Sequence, residues 1–260
     1  MKPLVSVIIP CHNYERWLPD CVESLRRNDY DPLEVIVIHD GCTPSPDAAQ
    51  NRGSTIDSNA TFIIERLDKN GGVAHARNEG FDMCMGKYVW FLDSDDMCLP
   101  HGIAARIDYL ERHCSASMVW GGARKINVER DNWTWGYKRC IENLGKLERY
   151  SRPMNAQTLM WRREVFEKFG LYFEGLRSKE DKELLYRLGV HPDSPLPSKI
   201  HVGHVDVDVA VYRRHPGAKH KRRVADKKWF DETERIFDER MVLLRHEGIT
   251  AENTRFPKKV

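Results

Sequence analysis

Short apolar runs alternate with helical hydrophobic patterns through the first half of the chain. The predicted strands are residues 4–9, 35–38, 61–64, 88–92 and 117–120, each rich in Val, Ile, Phe or Trp. Apolar residues at helical spacing predict helices around residues 17–25, 73–85 and 100–110. Because strands that alternate with helices pair in parallel, we predict a doubly wound α/β fold, a mostly parallel sheet with helices on both faces.

The pattern changes after residue 121. Trp133, Trp135 and Tyr137 alternate with polar residues and predict one face of a hairpin. Further along, the pattern predicts short helices over 164–169 and 180–188, a strand over 205–211 and a C-terminal helix over 229–244. These shifts divide the chain into residues 1–121, 122–225 and 226–260.

Composition and charge restrict the class of protein. Of the 260 residues 41% are hydrophobic, enough for a folded core, and the net charge is only +2. The seven cysteines are odd in number and contain no C-x-x-C pair, which argues against a structural zinc site and favours free thiols in a reducing compartment. No apolar run is long enough to span a bilayer. We therefore expect a soluble, cytoplasmic protein.

Basic residues concentrate in one segment near the C-terminus. Residues 213–228 hold eight Lys or Arg and one acid, and Lys221, Arg222 and Arg223 form its centre. A mobile loop with solvated charge is the favoured explanation for Arg213, Arg214 and His215. For the basic residues beyond them, the cluster fits a polyanionic partner or a membrane surface.

Candidate chemistry follows the predicted strands, since ligands of open α/β sheets bind beyond the carboxyl ends of the strands. Residues 10–14 follow the first run, residues 39–41 follow the second, and Asp93, Ser94, Asp95 and Asp96 follow the fourth. Three carboxylates this close repel one another unless a cation such as Mg²⁺ or Mn²⁺ binds them. A solvated turn that caps the next helix is the alternative, above all for Asp96.

Missing motifs exclude several classes of α/β protein. The sequence contains no G-x-x-x-x-G-K-[ST] loop, no G-x-G-x-x-G after the first strand and no G-x-S-x-G. These absences argue against P-loop nucleotide triphosphatases, dinucleotide-dependent dehydrogenases and α/β-hydrolases.

Seven blocks of the sequence follow one another in a specific order and spacing. They are VSVIIPCHNYE (5–15), IHDGCTP (38–44), NGGVAHARN (70–78), KYVWFLDSDD (87–96), RREVFEKFG (162–170), SKEDKELLYRL (178–188) and YRRHPG (212–217). Together they resemble family 2 glycosyltransferases, which implies the GT-A fold with its Rossmann-like, mostly parallel sheet. The resemblance implies that residues 1–121 bind a nucleotide sugar and that residues 122–225 bind the acceptor and supply the catalytic base.

The resemblance also implies roles for individual residues. Candidate donor-binding residues are Pro10, His12, Asn13, Asp40, Arg77, Asp93 and Ser94. Asp95 and His215 would contact Mn²⁺ or Mg²⁺ on the donor diphosphate. Asp181 would be the general base, with adjacent Glu180 as the alternative. His39 and Cys42 stand where the family usually has Asp and Ser, which weakens the expected preference for one nucleobase.

The resulting hypothesis is a metal-dependent, inverting and non-processive glycosyltransferase, with a UDP-sugar favoured as donor. Processive synthases carry Q-x-x-R-W where residues 157–161 read QTLMW, so we expect one transfer per encounter. The acceptor would be a hydroxyl group, on a nucleic acid, a phosphorylated glycan or a lipid-linked glycan if Lys221, Arg222 and Arg223 bind it. A nucleic-acid-binding module and a nucleotide-sugar-binding protein without transferase activity are the alternatives. The oligomeric state is left open.

Overall fold

The computed structural model describes residues 1–42, 52–57, 60–128, 137–150, 154–194, 196–215 and 227–247. Trp133, Trp135 and the three central residues of the basic segment, 221–223, lie outside these ranges. The hairpin face predicted at Trp133 and Trp135 and the role predicted for residues 221–223 therefore lie outside the described residues.

The described residues form one mixed sheet flanked by helices. Its strands are β1 (Val5–Cys11), β2 (Leu33–Asp40), β3 (Arg52–Asp57), β4 (Ala60–Leu67), β5 (Tyr88–Phe91), β6 (Met97–Cys98), β7 (Ala116–Asn127), β8 (Glu148–Tyr150), β9 (Leu159–Arg162) and β10 (His201–Arg214). The helices are α1 (Leu18–Arg26), α2 (Val73–Met83), α3 (Gly102–Arg112), α4 (Tyr137–Glu142), α5 (Arg163–Phe169), α6 (Glu180–Arg187) and α7 (Lys227–Glu247).

The strands β4, β2, β1 and β5 form the parallel part of the sheet. The register pairs Val5 with Leu33 and continues to Cys11 opposite His39, so β1 and β2 end together. All residues of β1 and β2 are buried, as expected for parallel strands covered on both faces. The segments that follow β1, β2 and β5 are consequently brought to one edge of the sheet.

The rest of the sheet is more mixed than the sequence pattern predicts. The strand β9 lies between β5 and β7 and is antiparallel to both. The strand β10 pairs in parallel with β7, while β3 and β6 add antiparallel pairs at the two ends. Since β7 crosses the predicted boundary at residue 121, the two predicted halves share one sheet.

Apolar cores fill both faces of the sheet. On one face, Leu25 of α1 and Ile107 of α3 belong to the same core as the odd-numbered residues of β1. On the other, α2 packs so closely that a Cβ on Gly80 would lie 2.4 Å from Cγ2 of Ile8. Helices therefore cover both faces, and the prediction of an α/β fold is confirmed.

Two further observations concern the second half of the chain. The predicted hairpin is wrong at Tyr137, which is the first residue of the helix α4. The C-terminal helix α7 forms as predicted, and its Phe237, Met241 and Leu244 pack with Leu176, which precedes α6. Within the part of the chain that the structure describes, no helix combines the length and apolarity needed to cross a bilayer.

Candidate active site

The segments that follow β1 and β2 lie side by side. Nδ1 of His12 is 2.6 Å from the carbonyl oxygen of Asp40. Asn13 adopts a left-handed φ of 58°, and its Nδ2 is 3.2 Å from Nε2 of His12. Pro10 is buried in β1 just before them. The structure thus brings these four predicted donor-binding residues together at one edge of the sheet.

The carboxylate of Asp40 is buried and holds the turn that begins α2. Its Oδ1 accepts the N–H of Gly71 at 2.7 Å, and its Oδ2 accepts the N–H of Gly72 at 2.8 Å. Gly72 has a φ of 92°, a conformation in which glycine carries no steric cost. Since each oxygen already accepts one backbone N–H, a contact with a nucleobase would use the remaining lone pairs.

The three aspartates after β5 form a compact cluster. One carboxylate oxygen from each of Asp93, Asp95 and Asp96 lies within 4.8 Å of the others. Burial raises the pKa of Asp96 well above its ordinary value, and the charges of Asp95 and Asp93 add to the shift. Ser94 is buried between them. Repelling carboxylates that offer hard oxygen donors fit a site for Mg²⁺ or Mn²⁺.

Asp96 also connects this cluster to the end of β10. Its Oδ1 accepts the backbone N–H of Arg213 at 2.8 Å, and the side chain is almost completely buried. The guanidinium of Arg213 lies over the ring of Trp17 and 3.2 Å from Oδ2 of Asp20. Asp96 therefore has a structural role, because it holds the end of β10 next to the segment that follows β5. Asp95 and Asp93, by contrast, are partly exposed.

His215 follows β10 and faces Asp95. Its Nε2 is 3.0 Å from Oδ2 of Asp95. The buried imidazole is flanked by the rings of Tyr14 and Trp17, each with its centroid 5.3 Å away. The two residues predicted to bind the metal are therefore in direct contact, and the aromatic rings fix the orientation of the imidazole.

Arg77 lies beneath the acidic cluster and not on the surface of α2. Its Nη2 donates to Oδ1 of Asp93 at 2.8 Å, and its Nη1 donates to Oε1 of Glu180 at 3.0 Å. Only 2% of its side chain is exposed, and the guanidinium lies over the ring of Tyr172. Arg77 thus bridges the acidic cluster and the first residue of α6.

The first turn of α6 contains both candidate bases. Glu180 is almost completely buried and ion-paired with Arg77. Asp181 is partly exposed, and its Oδ1 accepts the backbone N–H of Lys182 at 2.8 Å. Burial, reinforced by the charge of Glu180, raises the pKa of Asp181 to about 6. A carboxyl group with this pKa is suited to accept a proton near neutral pH.

Sequence reasoning missed the ionic network behind α6. Glu183 is completely buried, with its Oε1 3.1 Å from Nε of Arg187 and 3.3 Å from Nε of Arg240 in α7. Arg187 also donates to the carbonyl oxygens of Phe169 and Leu171. Glu183 and Arg187 lie four residues apart on a predicted helix, a spacing that indicates an ion pair. The spacing does not indicate that the pair is buried.

Comparisons with known proteins identify the family to which the chain belongs. The family model for "Glycosyl transferase family 2" matches residues 6–170. The chain is 26% identical to the uncharacterized glycosyltransferase EpsJ of Bacillus subtilis over 84% of its own length and 63% of that protein. It is 28% identical to the amylovoran biosynthesis glycosyltransferase AmsE of Erwinia amylovora, over 81% of this chain and 80% of AmsE.

A solved structure extends the comparison to the fold. The crystal structure of S. aureus TarS 1-349 in complex with UDP-GlcNAc superposes with a TM-score of 0.64, at 17% identity, over 92% of this chain and 66% of that one. The chain therefore spans slightly less than two thirds of both EpsJ and TarS 1-349. The resemblance to family 2 glycosyltransferases that the sequence shows is confirmed. With more than half of its residues matched by the family model, the chain belongs to glycosyl transferase family 2 and has the GT-A fold.

Proposed function

We propose that this chain transfers a sugar from a UDP-sugar to an acceptor hydroxyl, with inversion at the anomeric carbon. The observation that carries the proposal is the bridge that Arg77 makes between Asp93 and Glu180. This bridge connects the aspartate cluster after β5, which suits a divalent cation, to the first turn of α6. That turn carries Asp181, whose pKa is raised. The crystal structures of TarS with UDP and with UDP-GlcNAc support a uridine nucleotide as donor.

Asp95 and His215 would hold Mg²⁺ or Mn²⁺ at the donor diphosphate, with Asp93 close by. A bound dication supplies electrostatic stabilisation of the charge that develops on a departing nucleoside diphosphate. The protein's part is to fix the ligands: Asp96 secures the end of β10, and the rings of Tyr14 and Trp17 hold the imidazole. Pro10, His12, Asn13 and Asp40 would contact the nucleoside, with Asp93 near the ribose and Ser94 as a further donor-binding residue.

Asp181 is the residue we assign as general base. Both carboxylates start α6, but Glu180 is paired with Arg77 and almost completely buried, whereas Asp181 is partly exposed. An acceptor hydroxyl is a weak nucleophile, and removal of its proton by a positioned carboxylate contributes typically about 10² to 10⁴ in rate. No covalent intermediate is needed for this step, since the acceptor oxygen displaces the nucleotide directly.

The acceptor is proposed to carry negative charge. Eight basic residues lie within 213–228, and a diphosphate with a bound dication needs few of them. Lys221, Arg222 and Arg223 would then contact phosphate groups of a glycan, a lipid-linked glycan or a nucleic acid. Replacing all three by Gln should weaken acceptor binding and flatten its salt dependence while donor hydrolysis is unchanged. Loss of donor binding with unchanged acceptor affinity would contradict this assignment.

A donor screen tests the proposed reaction. The full chain is incubated with UDP-, GDP- and dTDP-sugars in the presence of Mg²⁺ or Mn²⁺, and release of the nucleoside diphosphate is measured. We expect release from UDP-sugars that stops in excess chelator and in Asp95→Ala. Asp108→Ala, an exposed aspartate on α3, is the matched control and should remain active. Release that is unaffected by chelator would contradict the metal-dependent mechanism.

A further inference from the structure

A second cluster of potential ligands lies where β1 and β2 end. Cys11, Glu15, His39 and Cys42 each place one ligand atom within 4.8 Å of those of the other three. Cys11 and His39 are register partners in the parallel pair, so their side chains leave the sheet on the same face. Sγ of Cys42 is 3.5 Å from Nδ1 of His39 and 3.3 Å from the carbonyl oxygen of Cys11.

The separation between Cys42 and His39 agrees with ligation of one tetrahedral metal ion. Zn–S bonds of about 2.3 Å and Zn–N bonds of about 2.05 Å at a tetrahedral angle separate sulfur and nitrogen by about 3.6 Å. The observed separation between Sγ of Cys42 and Nδ1 of His39 is 3.5 Å. Two thiolates, an imidazole and a carboxylate oxygen are ligands that Zn²⁺ accepts, whereas the all-carboxylate cluster after β5 suits harder cations.

Burial and polar contacts in the cluster also favour a bound ion. The side chains of Cys11, His39 and Cys42 are buried, while the partial exposure of Glu15 leaves a route from solvent. Oε1 of Glu15 is itself buried and receives no hydrogen bond from any described residue. A cation at the centre of the cluster would satisfy this oxygen and offset the cost of its burial.

Metal binding at this cluster would be coupled to proton release. A dication bound by Sγ of Cys11 and Sγ of Cys42 would displace the two thiol protons to the buffer.

We propose that Cys11, Glu15, His39 and Cys42 form a Zn²⁺ site that is distinct from the carboxylates after β5. The ion would fasten the end of β1 to the segment that follows β2. Sequence spacing gives no sign of this site, because the ligands come from two strand ends and form no C-x-x-C pair. The proposal is independent of the reaction proposed above, since it concerns binding of an ion and not transfer of a sugar.

Cobalt substitution tests the site in the full chain. The reduced, metal-stripped protein is titrated with Co²⁺ in excess Mg²⁺, which occupies carboxylate sites. We expect one Co²⁺ per chain with the intense visible bands of tetrahedral cobalt and a near-ultraviolet thiolate charge-transfer band. Added Zn²⁺ should abolish both. Cys11→Ser and Cys42→Ser should each weaken Co²⁺ binding by at least about 100-fold. Mutation of a residue that only hydrogen-bonds to a metal ligand already lowers metal affinity by about 10- to 100-fold.

Matched variants separate this site from other thiols and carboxylates. Cys114→Ser removes an exposed cysteine, and Asp95→Ala removes a carboxylate of the other cluster; both should keep the cobalt spectrum. Circular dichroism checks that each variant is folded, and Glu15→Gln serves as a milder change than loss of a buried thiol. Absence of a thiolate charge-transfer band in the folded wild type overturns the proposal. The proposal is also overturned if the reduced protein binds no Zn²⁺ and its Cys11 and Cys42 readily form a disulfide in air.

Discussion

Nε2 of His215 lies 3.0 Å from Oδ2 of Asp95, although 120 residues separate them in the chain. The contact depends on Asp96, whose carboxylate accepts the N–H of Arg213 and so fixes the end of β10 beside the segment that follows β5. The two adjacent aspartates therefore have different roles. Asp95 is available to a ligand, whereas Asp96 fixes the end of β10, the strand that precedes His215.

This division predicts opposite effects for the two aspartates. Asp95→Ala should abolish metal-dependent donor binding and transfer while the melting temperature stays close to that of the wild type. Asp96→Ala leaves the buried N–H of Arg213 without its acceptor, which should lower the free energy of unfolding by about 1–3 kcal/mol. Thermal unfolding and isothermal titration with UDP and Mn²⁺ measure the two effects. A stable Asp96→Ala variant together with an unstable Asp95→Ala variant would reverse the assignment.

The two candidate bases are separated by conservative substitutions. Asp181→Asn keeps the size of the side chain but removes its ability to accept a proton, so kcat should fall by about 10² to 10⁴ with little change in donor affinity. Glu180→Gln weakens an ion pair to Arg77 and should act mainly on stability. Steady-state kinetics and donor titration of both variants provide the measurement. Wild-type turnover in Asp181→Asn would exclude Asp181 as the base.

The raised pKa of Asp181 predicts the acidic limb of the pH profile. A general base works in its ionised form, so kcat should rise with pH through about 6 and level off above it. Measurement between about pH 4 and about pH 8, roughly two units on either side of that pKa, is sufficient. Asp181→Asn should lose this limb along with most of its activity. A profile that is flat through pH 6 in the wild type, with chemistry rate-limiting, would argue against a base of this pKa.

Arg77 should be essential to both stability and activity. Arg77→Met leaves the carboxylates of Asp93 and Glu180 without their counter-charge, and loss of one partner from a buried ion pair costs about 3–5 kcal/mol. Arg112→Met, which removes an exposed partner of Asp108 in α3, should change stability by less than about 1 kcal/mol. Urea unfolding compares the two variants. If the Arg77→Met and Arg112→Met variants are equally stable, the ion pairs of Arg77 do not contribute to the free energy of unfolding.

Glu183 provides a similar comparison behind α6. Glu183→Gln leaves Arg187 buried without a full negative charge and weakens the contact with Arg240, so we expect a loss of about 3–5 kcal/mol. Glu239→Gln disrupts an exposed pair with Arg235 on α7 and should cost at most about 0.5 kcal/mol. Urea unfolding distinguishes these values. If Glu183→Gln is as stable as Glu239→Gln, the buried network does not tie α7 to α6.

The parallel part of the fold could be predicted because each of its strands and helices has a recognisable pattern within its own residues. The apolar runs at β1, β2 and β5 and the helical spacing in α2 identify each element from its own residues. The strand β9, LMWR, contains no β-branched residue, so its composition does not distinguish a strand from a helix. Its place between β5 and β7 is determined by pairing with distant residues, as with Val89 opposite Trp161.

For the candidate site, the sequence indicated positions but not partners. Residues at the carboxyl ends of parallel strands are expected at one edge, and this places Asp40 near Asn13 and groups the three aspartates. The burial of Arg77 could not be predicted, since an arginine on a helix is commonly solvated. Its partner Glu180 lies 103 residues further along the chain, and only the assembled sheet and α6 bring the two together.

The central position of β9 has a consequence for synthesis of the chain. Until residue 162 has left the ribosome, β5 exposes one edge of unpaired backbone groups along the apolar residues Val89 and Trp90. Exposed apolar edges of this kind invite pairing with another chain. A fragment that ends at residue 121 would keep this edge permanently, so it should self-associate even though it contains the parallel strands. The emerging protein would therefore depend on chaperones, or on rapid translation, until β9 closes the gap.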